Sequence, residues 1–234
     1  PPRSTLFPYT TLFRSIRNTV PSSWAKGEDP AWVGSYVNIA WKHFQTYGDR
    51  RMIERHFDNL KRYMDTLIKE GEASEKPPLL TNPRVGLGDW VHPDGGNSPP
   101  EGALIYFNLY FYKYAHQMAE MAKVIGRAED GNYYTSLAAE LKKAFNEHHF
   151  DEKDGFYYST NRGFGFRQSP QAIALAFGLV PEEKVDGLVK RLVEDIQQKR
   201  NGHFWVGILG MEAIADALSE HGRAELGYSA QLKD

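Results

Sequence analysis

The 234-residue sequence contains no cysteine. That excludes disulfide bridges, a thiolate nucleophile and zinc-thiolate sites, and it leaves both reducing and oxidising compartments open. No apolar run approaches the roughly 20 residues of a membrane span. No charge of one sign dominates: 28 Lys and Arg stand against 30 Asp and Glu, a formal net charge of −2. The two signs are interspersed without a basic stripe, so nothing draws the chain to nucleic acid. No glycine-rich turn follows a strand, and Gly207 and Gly210 read as close helix packing rather than a phosphate loop. His92, His148 and His149 lack a third partner at ligand spacing, so neither a metal site nor a cofactor is expected.

What is present is enough apolar residue, 41%, for a sizeable core, with 25% charged residues as in ordinary soluble proteins. The expected location is cytoplasmic, periplasmic or secreted, and no motif fixes an oligomeric state. The first residues stand apart. Thr5 to Ser15, TLFPYTTLFRS, is the translation of a common sequencing-library adapter. Residues 1–16 are therefore read as non-native and residues 17–234 as the natural part, expected to be a partial catalytic domain. The C-terminal residues Gln231 to Asp234 stop within a helical pattern without a capping glycine, so both ends read as cut.

From Trp32 onward the periodicity is helical and comes in pairs. A helix over 31–47 stops at Gly48, and Asp49 is placed to cap a second over 49–70. In that second helix Met52, Ile53, Phe57, Leu60, Tyr63, Met64 and Leu67 recur at three- and four-residue steps, opposite a charged face. After a long Pro- and Gly-rich segment, 71–100, a third helix over 101–125 is apolar round most of its circumference. A fourth covers 131–150. A loop over 151–166 holds a short hairpin through Phe156, Tyr157 and Tyr158. A small apolar fifth helix covers 168–177, and a sixth begins at Pro181 with acids in its first turn. A seventh covers 204–219 and an eighth begins at Ala224.

Helices one, three, five and seven are apolar nearly all round, whereas two, four and six carry one charged face. That alternation predicts an all-α (α/α)6 toroid, in which inner helices are covered on both sides and outer helices meet water. About four of its six hairpins are present. Parallel inner helices put their N-termini on one face, so the loops leading into them share a rim. Those loops carry Glu28 to Trp32, Gly88 to His92, Arg167 to Gln171 and Asn201 to Trp205. Indoles, imidazoles, amides and acids collect there, the groups that stack on sugar C–H faces and hydrogen-bond vicinal hydroxyls.

Each residue also has a plainer reading. Asp89 caps a turn more often than it binds a ligand. Trp32 and Trp90 are as readily core tryptophans as sugar platforms. His203 serves equally well as a helix-start donor, and Gln168 and Gln171 read first as polar residues at a helix start.

Five motifs in order resemble one family. They are Asp29-Pro-Ala-Trp32, the YGDRRMIERHFDNLKRYMDTL of Tyr47 to Leu67, the GDW of Gly88 to Trp90, Gln168 with the LAFGLVP of Leu175 to Pro181, and the NGHFWVGILGMEAI that opens at Asn201 with the ALSEHGRAELGY that ends at Tyr228. Together they resemble the catalytic (α/α)6 barrel of bacterial α-L-rhamnosidases of glycoside hydrolase family 78. The resemblance implies an inverting hydrolase that releases terminal α-L-rhamnose, with one carboxylic acid protonating the leaving oxygen and a carboxylate activating water. It also implies that Trp32, Trp90, Asp89 and His203 belong to the substrate-binding wall. The family's general acid lies in an acidic cluster resembling D-x-P-Q-R-x-E and its base in a segment resembling G-A-T-T-x-W-E. Neither motif occurs in this sequence, so no catalytic residue is assigned and the chain alone is expected to be inactive. The alternatives are another (α/α)6 carbohydrate enzyme, glycosidase or polysaccharide lyase, with Asp89 or Glu28 catalytic, and a non-catalytic helical scaffold.

Overall fold

A computed structural model describes residues 29–81, 86–95, 98–159 and 162–233. The adapter-like segment and Glu28 lie outside the described residues. The elements, in order, are α1 (Pro30–Val33), α2 (Ser35–Tyr47), α3 (Arg51–Glu72), α4 (Leu104–Val124), α5 (Ala128–His149), a two-stranded antiparallel ribbon of β1 (Phe150–Asp151) and β2 (Phe156–Tyr157), α6 (Gln168–Ala176), α7 (Glu182–Glu194), α8 (Ile208–Glu220) and α9 (Ala224–Gln231). α7 runs on into a π-helical turn, Asp195–Lys199. No described helix is long and apolar enough to cross a membrane.

Among the described residues four hairpins result: α2 with α3, α4 with α5, α6 with α7, and α8 with α9. α4 packs on α2 and on α6, and α6 packs in turn on α8, which gives an inner row backed by outer helices. α3 shows why the outer helices stay put. Ile53, Phe57, Leu60, Met64, Leu67 and Ile68 form its buried stripe, each large side chain contributing about 1.5–3 kcal/mol on leaving water. Its opposite face keeps the charges wet.

α6 is buried from Gln168 to Leu175 and α4 along most of its circumference, although a stripe of Lys113, His116, Glu120 and Lys123 on α4 reaches solvent. The first and last inner helices depart further from the expected cover. α2 leaves Ile39 56% exposed and Tyr47 73% exposed, and α8 leaves Ile208 and Met211 each 46% exposed. Each has an inner neighbour on one side only among the described residues.

Several boundaries also shift, among them the start of α5, which lies at Ala128 rather than residue 131. The helix expected over 31–47 is broken at Gly34, where a Cβ would lie 2.1 Å from the Tyr114 ring. α4 starts at Leu104 instead of residue 101 and α8 at Ile208 instead of residue 204. Asp49 accepts a hydrogen bond from the Arg51 amide at 2.9 Å, one position ahead of a regular cap.

Candidate functional site

The loop 86–95 is held between the starts of α1, α6 and α8. On the α1 side, Asp29 accepts from its own helix at Ala31 N (2.9 Å) and from Gly88 N (2.8 Å). The Trp32 indole Nε1 donates to Gly88 O at 2.9 Å. Both backbone groups of Gly88 are thus taken by α1. Its φ of +53° suits a residue without a Cβ, and an added Cβ would meet the Ala103 backbone at 3.1 Å.

On the other side the anchor is Asp89, which has no exposed surface. Its carboxylate accepts a hydrogen bond from the Ser169 hydroxyl on α6. It accepts two more from backbone amides at the start of α8, Gly207 N at 2.6 Å and Gly210 N at 2.9 Å. A carboxylate against the first-turn amides of a helix is favoured by unsatisfied N–H groups and by the helix dipole. The Ile208 amide donates to Trp90 O at 2.9 Å. That closeness leaves no room for a side chain at Gly207, whose Cβ would fall 2.4 Å from the Asp89 and Trp90 carbonyl oxygens.

These bonds set the two indoles side by side. Trp32 and Trp90 are half-buried, with ring centroids 6.0 Å apart and planes at 81°. Val91 follows, 59% exposed with φ of +61°. A β-branched residue in left-handed backbone is strained, and the surrounding bonds hold it there.

Beyond Val91 lies a charged cluster centred on Arg167, just before α6. Its guanidinium reaches Asp94 Oδ2 at 2.5 Å and Glu101 Oε2 at 3.2 Å, and it donates to His92 Nδ1 at 3.2 Å. Glu101 is buried and accepts from the Tyr106 hydroxyl at 2.6 Å. Trp205 closes the ring of contacts: its indole Nε1 donates to Asp94 Oδ1 at 2.7 Å and its carbonyl lies 3.2 Å from His92 Nε2. A carbonyl only accepts, so Nε2 carries the His92 proton in that contact. Burial, then the Arg167 charge, push the His92 pKa down, which favours the neutral imidazole. For Asp94 burial acts upward, but the hydrogen bonds from Trp205 and Arg167 outweigh it and hold the carboxyl below its usual range.

Of the four residues expected to meet a ligand, the structure brings Trp32 and Trp90 together and sets Asp89 beneath them as an anchor. His203 is half-buried in the loop before α8, with its amide donating to Arg200 O at 2.9 Å. Gln168 fastens that loop: it donates to Asp195 at 2.9 Å and accepts from Trp205 N at 2.8 Å. Gln171 bonds both backbone groups of Tyr157, so both glutamines serve their plainer role.

Sequence reasoning did not single out Asp94, Glu101, Arg167 or Trp205. One signal was available, since an arginine ahead of an apolar helix opposes the positive end of its dipole and calls for partners.

Paired helices with indoles and tied-down carboxylates at one set of helix starts define a domain of the six-hairpin glycosidase type. The chain matches the model of the bacterial alpha-L-rhamnosidase 6 hairpin glycosidase domain over residues 15–234 and belongs to that family. An alpha-L-rhamnosidase of Formosa agariphila is 30% identical over 218 residues, covering 88% of this chain and 21% of the relative. Among solved structures, the alpha-L-rhamnosidase of Dictyoglumus thermophilum superposes with a TM-score of 0.76 at 33% identity, covering 86% of this chain and 22% of that one. The Streptomyces avermitilis alpha-L-rhamnosidase, complexed with L-rhamnose, gives 0.71 at 25% identity over 86% of this chain and 18% of that one. The chain thus spans about a fifth of the length of the curated relative.

Proposed function

We propose that this domain belongs to an inverting glycoside hydrolase that releases terminal α-L-rhamnose, and that it supplies one wall of the rhamnose pocket. The observation that carries the reading is the Trp32–Trp90 pair, two half-buried indoles at 6.0 Å fixed through Gly88. Aromatic faces held this way suit the apolar side of a deoxy sugar, whose C6 methyl adds to the C–H surface. His203 supplies a ring nitrogen for a sugar hydroxyl. Asp89 supports the wall from below, and its burial speaks against a reading in which it is the catalytic acid.

The general acid and base of this reading are supplied by parts of the full protein outside residues 17–234, because neither acidic motif occurs in them. The chain alone then binds rhamnose and does not turn it over. Titrating it with L-rhamnose, followed through the indole N–H resonances, tests the wall. Trp90→Ala should weaken binding by about 1 kcal/mol if the ring stacks on the sugar, and unchanged affinity would assign Trp90 to the core. Hydrolysis of an aryl α-L-rhamnoside by the pure chain would place the catalytic carboxylates inside it and overturn that assignment.

A further inference from the structure

Away from the rim, the outer helices α3 and α5 enclose between them a cavity of about 210 Å3. Its floor is apolar: Ile68 of α3, Phe111 of α4 and Leu137 of α5 are buried there, and Pro78 walls one side. At the mouth stand the Tyr133 ring, 49% exposed, and two exposed carboxylates from different helices, Glu72 at the end of α3 and Glu140 on α5.

The Pro78 wall is pinned. The Leu80 amide donates to Asn108 Oδ1 at 2.8 Å, and Asn108 Nδ2 donates back to Leu80 O at 3.0 Å. A Cβ on Gly71 would lie 2.2 Å from Pro78 O, so the chain after α3 lies close against the end of that helix. The cavity is built into the fold, and a guest does not have to open it.

Its size and charge restrict the guest. Sites for drug-sized ligands run to about 300–1,000 Å3, so this one holds a group of side-chain size. Other acids on the two helices have basic partners, Asp58 with Arg127 and Asp130 with Lys61. Glu72 and Glu140 have none among the described residues. Their charges meet at the Tyr133 hydroxyl, whose pKa is raised first by burial and then by Glu72, Asp65 and Glu140, against the opposing charge of Lys61. Two anions and the electron-rich face of a tyrosine over an apolar floor complement a cation with an apolar stem. A compact ammonium can meet carboxylates from two helices and rest on the ring at once, whereas a guanidinium is matched to one carboxylate in its plane. A guest of that size binds only weakly by itself. The pocket becomes effective when a larger surface delivers the guest, as a backbone delivers its side chain.

We propose that this cavity is a socket for the side chain of a lysine carried on a partner protein, with the stem on Ile68, Phe111 and Leu137 and the ammonium among Glu72, Glu140 and Tyr133. The docking does not depend on the rhamnose reading, since no residue of the cavity belongs to the loop 86–95 or to the Arg167 cluster.

The test is an NMR titration of the chain, followed at the Tyr133 ring and the Ser136 amide. N-acetyl-lysine methylamide should shift both signals at millimolar concentration, and added salt should weaken the effect. The same molecule acetylated on its side-chain nitrogen keeps the stem, loses the charge and should shift neither. Glu72→Gln and Glu140→Gln, both at exposed positions outside the core, should each weaken binding about threefold, the size of a solvent-exposed ion pair. Ser136→Phe, which fills the mouth from α5, should abolish it. Equal binding of the lysine derivative and its acetylated form makes the cavity an apolar dent and overturns the socket, as does parent-like binding by both glutamine variants. Tighter binding of N-acetyl-arginine methylamide overturns the choice of an ammonium. Tighter binding of n-butylammonium than of the lysine derivative makes the cavity a site for a free amine and overturns the protein partner.

Discussion

Replacing Asp89 by asparagine separates an anchoring carboxylate from a sugar-binding one. In the parent, two oxygens accept three hydrogen bonds, from Ser169 Oγ, Gly207 N and Gly210 N, with no surface left to water. The amide keeps one oxygen. If that oxygen faces Ser169 and Gly207, the new NH2 group points at the Gly210 N–H and two donors collide. If the amide is turned over, Ser169 can rotate to accept, but Gly207 N then faces a donor. Either way one backbone amide at the start of α8 loses its partner in the interior, and the remaining bonds lose the charge on their acceptor. An unsatisfied buried group costs about 1–3 kcal/mol and a bond to a charged acceptor is stronger than a neutral one by about 1 kcal/mol, so the expected loss is about 2–4 kcal/mol. Urea unfolding followed by tryptophan fluorescence should show a lower midpoint with an unchanged slope. Ser169→Ala, which removes one donor and leaves the carboxylate two amides, should cost less. A loss under about 1 kcal/mol together with abolished rhamnose affinity would falsify the anchoring role and return Asp89 to the sugar.

Three further expectations follow from the same contacts. Burial pushes the His149 pKa down to about 3, so between pH 6.5 and 3 the unfolded chain takes up a proton that the folded chain refuses. Stability should therefore fall with acidification through that window by about 1 kcal/mol per pH unit, and His149→Leu should flatten the slope in pH-dependent urea melts. Gly207→Ala places a Cβ 2.4 Å from two carbonyl oxygens, and it should lower the melting temperature and shift both the Trp32 and Trp90 resonances. Arg167→Met leaves Glu101 and Asp94 without their cation and should destabilise by about 3–5 kcal/mol. A melt like the parent's would mean that the cluster is solvated.

The hairpin rhythm could be read from the chain because periodicity reports local burial, as in the stripe from Ile53 to Leu67. Where long-range contacts decide, it could not. At the break the Tyr114 ring from another helix leaves no room for a side chain on Gly34, a contact that the residues around Gly34 do not announce. α8 begins later than its apolar pattern suggests because Trp205 N goes to Gln168 and Gly207 N to Asp89. Those tertiary bonds displace helical ones. The rim was foreseen as a collection of polar and aromatic loops. Its wiring was not, since whether Asp89 faces inward to amides or outward to a ligand depends on the pairing of loops far apart in sequence. The left-handed Val91 had no local signal, because β-branched residues disfavour that conformation.

The loop 86–95 also governs when the Trp32–Trp90 wall comes into being. Its carboxylate and carbonyls take up the Gly207, Ile208 and Gly210 amides, so those protons can exchange with solvent only when the last hairpin lets go of the loop. In hydrogen exchange they should report the opening of the third and fourth hairpins as one unit. A chain that has docked those hairpins has fixed Asp89 and Trp90, and Trp32 completes the wall once α1 seats on Gly88. The indole pair and the packing of the last hairpins are then formed and lost together.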